Sequence, residues 1–257
     1  MVTIMTVETF IICIIVGFAA QFIDGAAGMA YGVSCRSFLR FSLKLPVAVC
    51  SAVVHIAELP LTLVSGLSHL KMRNVDGGLL ALLLVPGMVG AAIGAALVSY
   101  SNDFIEVVVD MYLILIGVRI FIQSFGKSAL AVRRLPSWLK CVIAALGGFF
   151  DAFGGGGWGP IVTSTLLANE QRPQRVIGTV NTAEFGVTAV QALFFGIFVQ
   201  SLVDYWWVVV AVIVGGIVAA PISAKLCVKM PRRTILLLVG ALIVALNAYG
   251  LYNLLFA

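Results

Sequence analysis

The sequence predicts an all-α integral membrane protein of two homologous halves, residues 1–126 and 127–257, arranged as inverted repeats. Each half is expected to hold a glycine-broken, re-entrant helix pair and three spanning helices. Three observations carry this expectation: a composition too apolar for water, apolar runs of membrane-crossing length, and a motif that occurs twice.

Of the 257 residues, 61% are hydrophobic and 11% are charged, and the mean hydropathy is +1.12. An average soluble domain carries about 25% charged residues, so water is the wrong solvent for most of this surface. Apolar runs cover residues 47–67, 77–98, 104–125, 176–199, 205–228 and 234–256. Each is near the ~20 residues that cross a ~30 Å hydrocarbon core. Six spans leave no length for a soluble domain. The first apolar run has no basic segment before it, so it is expected to stay in the mature protein rather than act as a cleaved signal.

Cys13, Cys35, Cys50, Cys141 and Cys227 lie singly in apolar segments without metal or redox spacing, which reads as small buried side chains. The net charge of +5 gathers in short loops between spans, where the positive-inside rule puts it, so no nucleic-acid partner is expected. The partner is the lipid bilayer. Trp138, Tyr205, Trp206 and Trp207 fit interfacial belts.

The repeat is visible as residues. Asp24-Gly-Ala-Ala-Gly-Met-Ala-Tyr-Gly32 matches Asp151-Ala-Phe-Gly-Gly-Gly-Gly-Trp-Gly159, with an aspartate first, an aromatic at Tyr31 or Trp158, and a closing glycine. At nearly the same offset, Val54-His-Ile-Ala-Glu58 falls on Val180-Asn-Thr-Ala-Glu184. Duplicated, glycine-interrupted helices are how many secondary transporters are built, with the solute held where the repeats meet.

Residues 139–167 form an apolar run interrupted by Asp151 and four glycines. One continuous helix would be ~43 Å long, whereas two half-helices of ~15 Å enter, turn at mid-depth and leave. Glycine at that density sacrifices roughly 1 kcal/mol per residue of helix propensity, and irregular backbone at that depth requires a polar cavity. Residues 7–41 repeat the pattern, although the first arm is nearly long enough to span alone. With both segments re-entrant, each half crosses three times and the second half is inverted. Lys71, Arg73, Lys127, Arg133, Arg134, Lys140, Arg172, Arg175, Lys225, Lys229, Arg232 and Arg233, 12 of the 16 basic residues, then share one side. Asp103, Glu106, Asp110 and Asp204 fall near the other. A plain eight-crossing chain fits the positive-inside rule less well. Arg36, Arg40 and Lys44 are the exceptions to the inverted arrangement.

The two glycine motifs, their Val-His-Ile-Ala-Glu and Val-Asn-Thr-Ala-Glu partners and Leu67-Ser-His-Leu70 resemble the TauE/SafE family of sulfite and organosulfonate exporters, from about Gly17 to Val228. The resemblance implies a multi-pass transporter of the bacterial cytoplasmic (inner) membrane carrying a small sulfur-containing or carboxylate anion. Ser34-Cys-Arg-Ser37 departs from the hydroxyl-rich stretch expected there, which the second half keeps as Thr163-Ser-Thr165. Arg36 in that departure either tunes the substrate or reaches an interface.

A half-helix that starts after a glycine turn aims unpaired N–H groups and the positive end of its dipole at the turn, which suits an oxyanion. Gly28, Gly32, Gly154, Gly155, Gly156, Gly157 and Gly159 are therefore candidate substrate-binding positions. Ser34, Ser37, Thr163, Ser164 and Thr165 follow as hydroxyl donors. The competing reading of the glycines is tight helix packing. Asp24 and Asp151 are too costly to leave unpaired in hydrocarbon, at about 2.5–3.5 kcal/mol each, and either brace the glycine turns or relay protons. His55 and Glu58 share a helix face, as do Asn181 and Glu184, and His55 and Asn181 are candidate substrate-binding side chains. The two glutamates lie near mid-span, where a bare charge is disfavoured, so each is a candidate proton relay or a brace for a turn. Gln191, two turns beyond Glu184, either lines the cavity or bridges helices, and Arg119 and Lys225 are expected to reach for the interface.

The expected function is therefore a secondary carrier exporting a small anion, sulfite or an organosulfonate, with protons as a possible coupling ion. The alternatives are an anion channel and a carrier of thiosulfate or a carboxylate. No catalytic constellation, metal motif or nucleotide loop occurs in the sequence, so neither an enzyme nor a cofactor is expected. No oligomeric state follows from it.

Overall fold

The structure is a computed structural model that describes residues 5–27, 30–100, 102–125, 135–169, 173–227 and 232–256. The boundary expected at 126/127 lies outside the described residues, as do Gly28, Lys127, Arg133, Arg134, Arg172 and Lys229.

The described regular structure is all helical. In hydrocarbon this is the answer for an open chain, because each backbone N–H must find its acceptor within its own segment. The helices are α1 (Val7–Ala27), α2 (Tyr31–Leu43), α3 (Val47–Lys71), α4 (Gly77–Ser99), α5 (Asp103–Gln123) and α6 (Ser137–Gly154). A π-helical turn (Trp158–Thr163) then runs into α7 (Ser164–Asn169), followed by α8 (Pro173–Phe198), a 3-10 turn (Gln200–Tyr205), α9 (Trp206–Cys227) and α10 (Arg232–Phe256). Short polar caps set two starts: Asp76 accepts the Leu79 N–H at 3.0 Å and Asn102 accepts that of Ile105 at 3.0 Å.

Seven of the described helices are long and apolar enough to cross a membrane. Five of the six expected spans are among them. α5 is not, because Asp103, Glu106, Asp110 and Arg119 fall within its 21 residues. The other two are Val7–Asp24 of α1 and Ser137–Gly154 of α6, the incoming arms of the two broken segments.

The packing partners come in corresponding sets. α4 packs along α6 as α9 packs along α1, while α3 lies on α8 and α5 on α10. Residue pairs give the directions. Ser65 meets Asn181 and His55 stacks on Phe195, so α3 and α8 are antiparallel. Asp76 meets Thr179 and Gly87 meets Val187, so α4 and α8 are parallel. Gly90 abuts Ala145 and Gly94 abuts Phe149, which makes α6 parallel to α4. Gly17 abuts Val212 and Gly216 faces Gln21, which makes α1 parallel to α9. Because α9 starts where α8 ends and runs back, α1 and α6 point in opposite directions.

The contacts of Gly17, Gly90 and Gly94 are backbone to backbone. A Cβ on Gly90 would land on the Ala145 carbonyl oxygen, which cannot rotate away. Gly90→Val is expected to destabilise the protein by about 1–3 kcal/mol, read as a lower melting temperature in detergent. Gly196→Val, where an added Cβ meets nothing within 4 Å, is the matched control and should leave melting unchanged.

Candidate functional site

The site grows from two helix breaks. At the first, Ala30 adopts φ 86 before α2 begins, and Asp24 Oδ1 accepts the Tyr31 N–H at 3.3 Å. At the second, α6 ends at Gly154, Gly155 turns the chain at φ 70, and Asp151 Oδ1 accepts the N–H groups of Gly157 at 2.6 Å and Trp158 at 2.9 Å. Each aspartate thus reaches seven residues ahead to hold the first N–H of the outgoing arm. Those are donors that a helix start leaves without a partner. The two breaks touch: a Cβ on Gly32 would collide with the Gly155 carbonyl oxygen, and Gly156 lies against the Val33 backbone nitrogen. Tyr112 of α5 donates to the Gly156 carbonyl at 3.2 Å and stacks on Phe150, closing the second turn from the side.

Beside the crossed turns lies a cavity of about 460 Å³. It runs from Asp24, Tyr31 and Asp151 at the breaks to Ser65, Leu167 and Ile177, at the end of the bundle where α3 finishes and α8 begins. Gly32, Gly156, Gly157, Gly159, Thr163 and Asn181 line it, together with Gln21 and Thr62. So do four carboxyl side chains, Asp24, Glu58, Asp151 and Glu184, each from a different helix, and among the described residues no lysine or arginine lines it. The expected half-helix tips are present, but the pocket they share is acidic.

The carboxyl groups differ in their partners. Asp151 has the turn N–H groups on one oxygen and the Gln191 amide on the other at 2.9 Å. His55, fully buried and stacked on Phe195, places Nε2 at 3.0 Å from the Asp151 carbonyl oxygen and Nδ1 at 3.4 Å from Glu58. Among the described residues Glu184 makes no ion pair; the charges acting on it are those of Glu58, Asp151 and Asp24. Asn181 reaches back across the bundle to Ser65 at 3.3 Å and to His69 at 3.5 Å. His55 and Gln191 therefore stand behind the cavity wall, and Asn181 forms part of it.

Other candidates lie elsewhere. Ser34 is buried away from the cavity, and Ser37 donates to the Val33 carbonyl while accepting from Asn247 at 2.9 Å. Ser164 bonds the Pro160 carbonyl and, with Thr165, receives Arg119. Arg119 is thus engaged with the outgoing arm. Gly154 packs on Tyr112. Asp110, expected near the opposite face, and Arg36, read as either tuning the substrate or reaching an interface, are both 0% exposed. Arg40 is not a loop charge either, since it pairs with Glu106 at 2.5 Å. Tyr205 and Trp207 are buried, unlike Trp138 and Trp206. Sequence reasoning missed Gln21, Thr62, Ser65 and Tyr112. The repeat carried a signal for two of them, because the offset that sets Glu58 on Glu184 also sets Thr62 on Thr188 and Ser65 on Gln191.

Residues 13–250 match the family described as Sulfite exporter TauE/SafE. The chain is also 38% identical over 252 residues to the probable membrane transporter protein YtnM of Bacillus subtilis (strain 168), covering 96% of this chain and 84% of that protein. No solved structure matches it. With seven apolar helices and a family match over nearly its whole length, the chain is a multi-pass membrane transporter that belongs to the TauE/SafE family.

Proposed function

We propose that the protein is a secondary carrier that exports a small oxyanion, sulfite or an organosulfonate, in exchange for or together with protons, through two inverted repeats whose broken helices meet at the centre. The observation that carries this reading is that the described lining of the cavity ends at the crossed glycine turns, where Gly32 abuts Gly155. A carrier needs such a blind cavity in each of its states, whereas a channel needs a continuous path. The opposed directions of α1 and α6, and packing partners that correspond when the halves are exchanged, support the inverted repeat. The cavity reaches toward the end of the bundle that carries Lys71 and Arg175, the cytoplasmic end by the positive-inside rule, as loading for export requires.

The acidic lining supports proton coupling. Two like charges 4 Å apart repel by about 4 kcal/mol at an effective dielectric constant near 20, so an anion is admitted only after the cavity has gained protons. The test is radiolabelled sulfite flux in liposomes, with and without a proton gradient. Saturable flux that responds to the gradient is the expected result. Unsaturable flux that follows voltage would mean a channel. No flux above empty liposomes, with the protein folded and inserted, would remove sulfite and turn the assay to sulfonates, thiosulfate and carboxylates.

A further inference from the structure

On the other side of the crossed turns, α2 carries Arg36 and Arg40 and α5 carries Glu106 and Asp110, each pair one helical turn apart, and the Arg40–Glu106 ion pair links the two helices. That ion pair closes at 2.5 Å and is partly exposed. Arg36 and Asp110 are both fully buried, and Asp110 is the charged group that acts most strongly on Arg36. Yet all three guanidinium nitrogens and both carboxylate oxygens lack a hydrogen-bond partner. Nearby Cys50 does not fill the gap, because its thiol is turned to the Leu45 carbonyl. The Arg36 stem lies directly against Gly155, so its guanidinium sits just beyond the turn at which the cavity ends.

A buried guanidinium with no acceptor is an arrangement proteins avoid unless something completes it, and its planar fork matches a two-oxygen anion. We propose that Arg36 is an anion-binding residue: when the turns part, the oxyanion leaving the acidic cavity becomes the counter-charge of Arg36, before passing the Arg40–Glu106 pair. This rests on the carrier reading above. It explains how a cavity whose described lining carries four carboxyl groups and no basic residue can still serve an anion: the acidic chamber loads protons and substrate, and the cation waits on the other side of the barrier.

The competing account is that Arg36 and Asp110 merely neutralise each other, and a charge cycle separates the two. Arg36→Gln, Asp110→Asn and the double variant are purified and reconstituted, then assayed for sulfite flux and for the rise in melting temperature that sulfite produces. Arg36→Gln is expected to lower flux at least about tenfold and to abolish the sulfite-dependent rise. Asp110→Asn should show a larger rise, since no carboxylate then competes for Arg36. The double variant, which leaves no bare charge and so folds even where Arg36→Gln does not, should melt like the wild type and remain without flux or sulfite response. If it regains both, Arg36 serves only to balance Asp110 and the inference is wrong. If the wild type itself shows neither flux nor a melting response with sulfite, sulfonates, thiosulfate or carboxylates, the carrier reading fails and this inference with it.

Discussion

Asp151→Ala should abolish transport and lower the melting temperature more than any other single change at the cavity. The Asp151 carboxylate holds the buried N–H groups of Gly157 and Trp158 and also accepts from Gln191. Stranding a buried donor costs about 1–3 kcal/mol, so two stranded N–H groups represent a large part of the stability of most domains. Asp151→Asn is predicted to behave differently. The amide keeps one oxygen for the two turn N–H groups and turns an NH2 toward Gln191, whose own Oε1 has no partner and becomes the acceptor after a flip of the amide. Asp151→Asn should therefore melt within about 1 kcal/mol of the wild type and keep its flux. Loss of flux in a folded Asp151→Asn protein would instead make the charge itself part of transport.

The second large effect is expected from Glu58→Gln combined with Glu184→Gln. Glu58 on α3 and Glu184 on α8 face each other across the cavity, with Asp24 on α1, Tyr31 on α2, His55 on α3 and Asp151 on α6 around them. Asp24 and Asp151 are committed to the turns, which leaves the two glutamates as the groups free to exchange protons with the cavity. For a sulfonate, whose charge does not change with pH, wild-type affinity should fall as pH rises, because deprotonation of the cavity carboxyls adds negative charge to the chamber. The double variant should bind with pH-independent affinity. Its flux should lose the response to a proton gradient by at least about tenfold while exchange without a gradient continues. An undiminished gradient response would mean that protons travel elsewhere, with Asp24 the next residue to replace.

Much of this architecture was legible because hydrocarbon imposes it. A bilayer demands long apolar helices, and the motifs occur twice in the sequence, so five of the six spans and the correspondence of Asp24 with Asp151 and of Glu58 with Glu184 could be read directly as residues. The same logic placed the irregular backbone at the glycines, where the two breaks are found. It also overreached. Asp110 looked like an interfacial charge, and Arg36 stayed open between the substrate and an interface, because a sequence shows only distance along a helix, and the side of a helix that faces a neighbour depends on packing. Glycine was equally ambiguous: Gly32 and Gly156 both line the cavity and let two backbones touch, and composition alone offers no choice between these uses.

By itself, then, the sequence determined the membrane as solvent, the helical class, the doubled motif and the family, all of which depend on local composition and short motifs. Only the tertiary structure decided that four carboxyl groups from four helices share one cavity, and that Arg36 lies against the Gly155 turn. It likewise decided that Ser37, Ser164 and Thr165 are engaged by Val33, Asn247, Pro160 and Arg119 rather than turned to the cavity. Such assignments join residues up to 210 positions apart in the chain. They follow from the direction and rotation of packed helices, which no short stretch of sequence encodes.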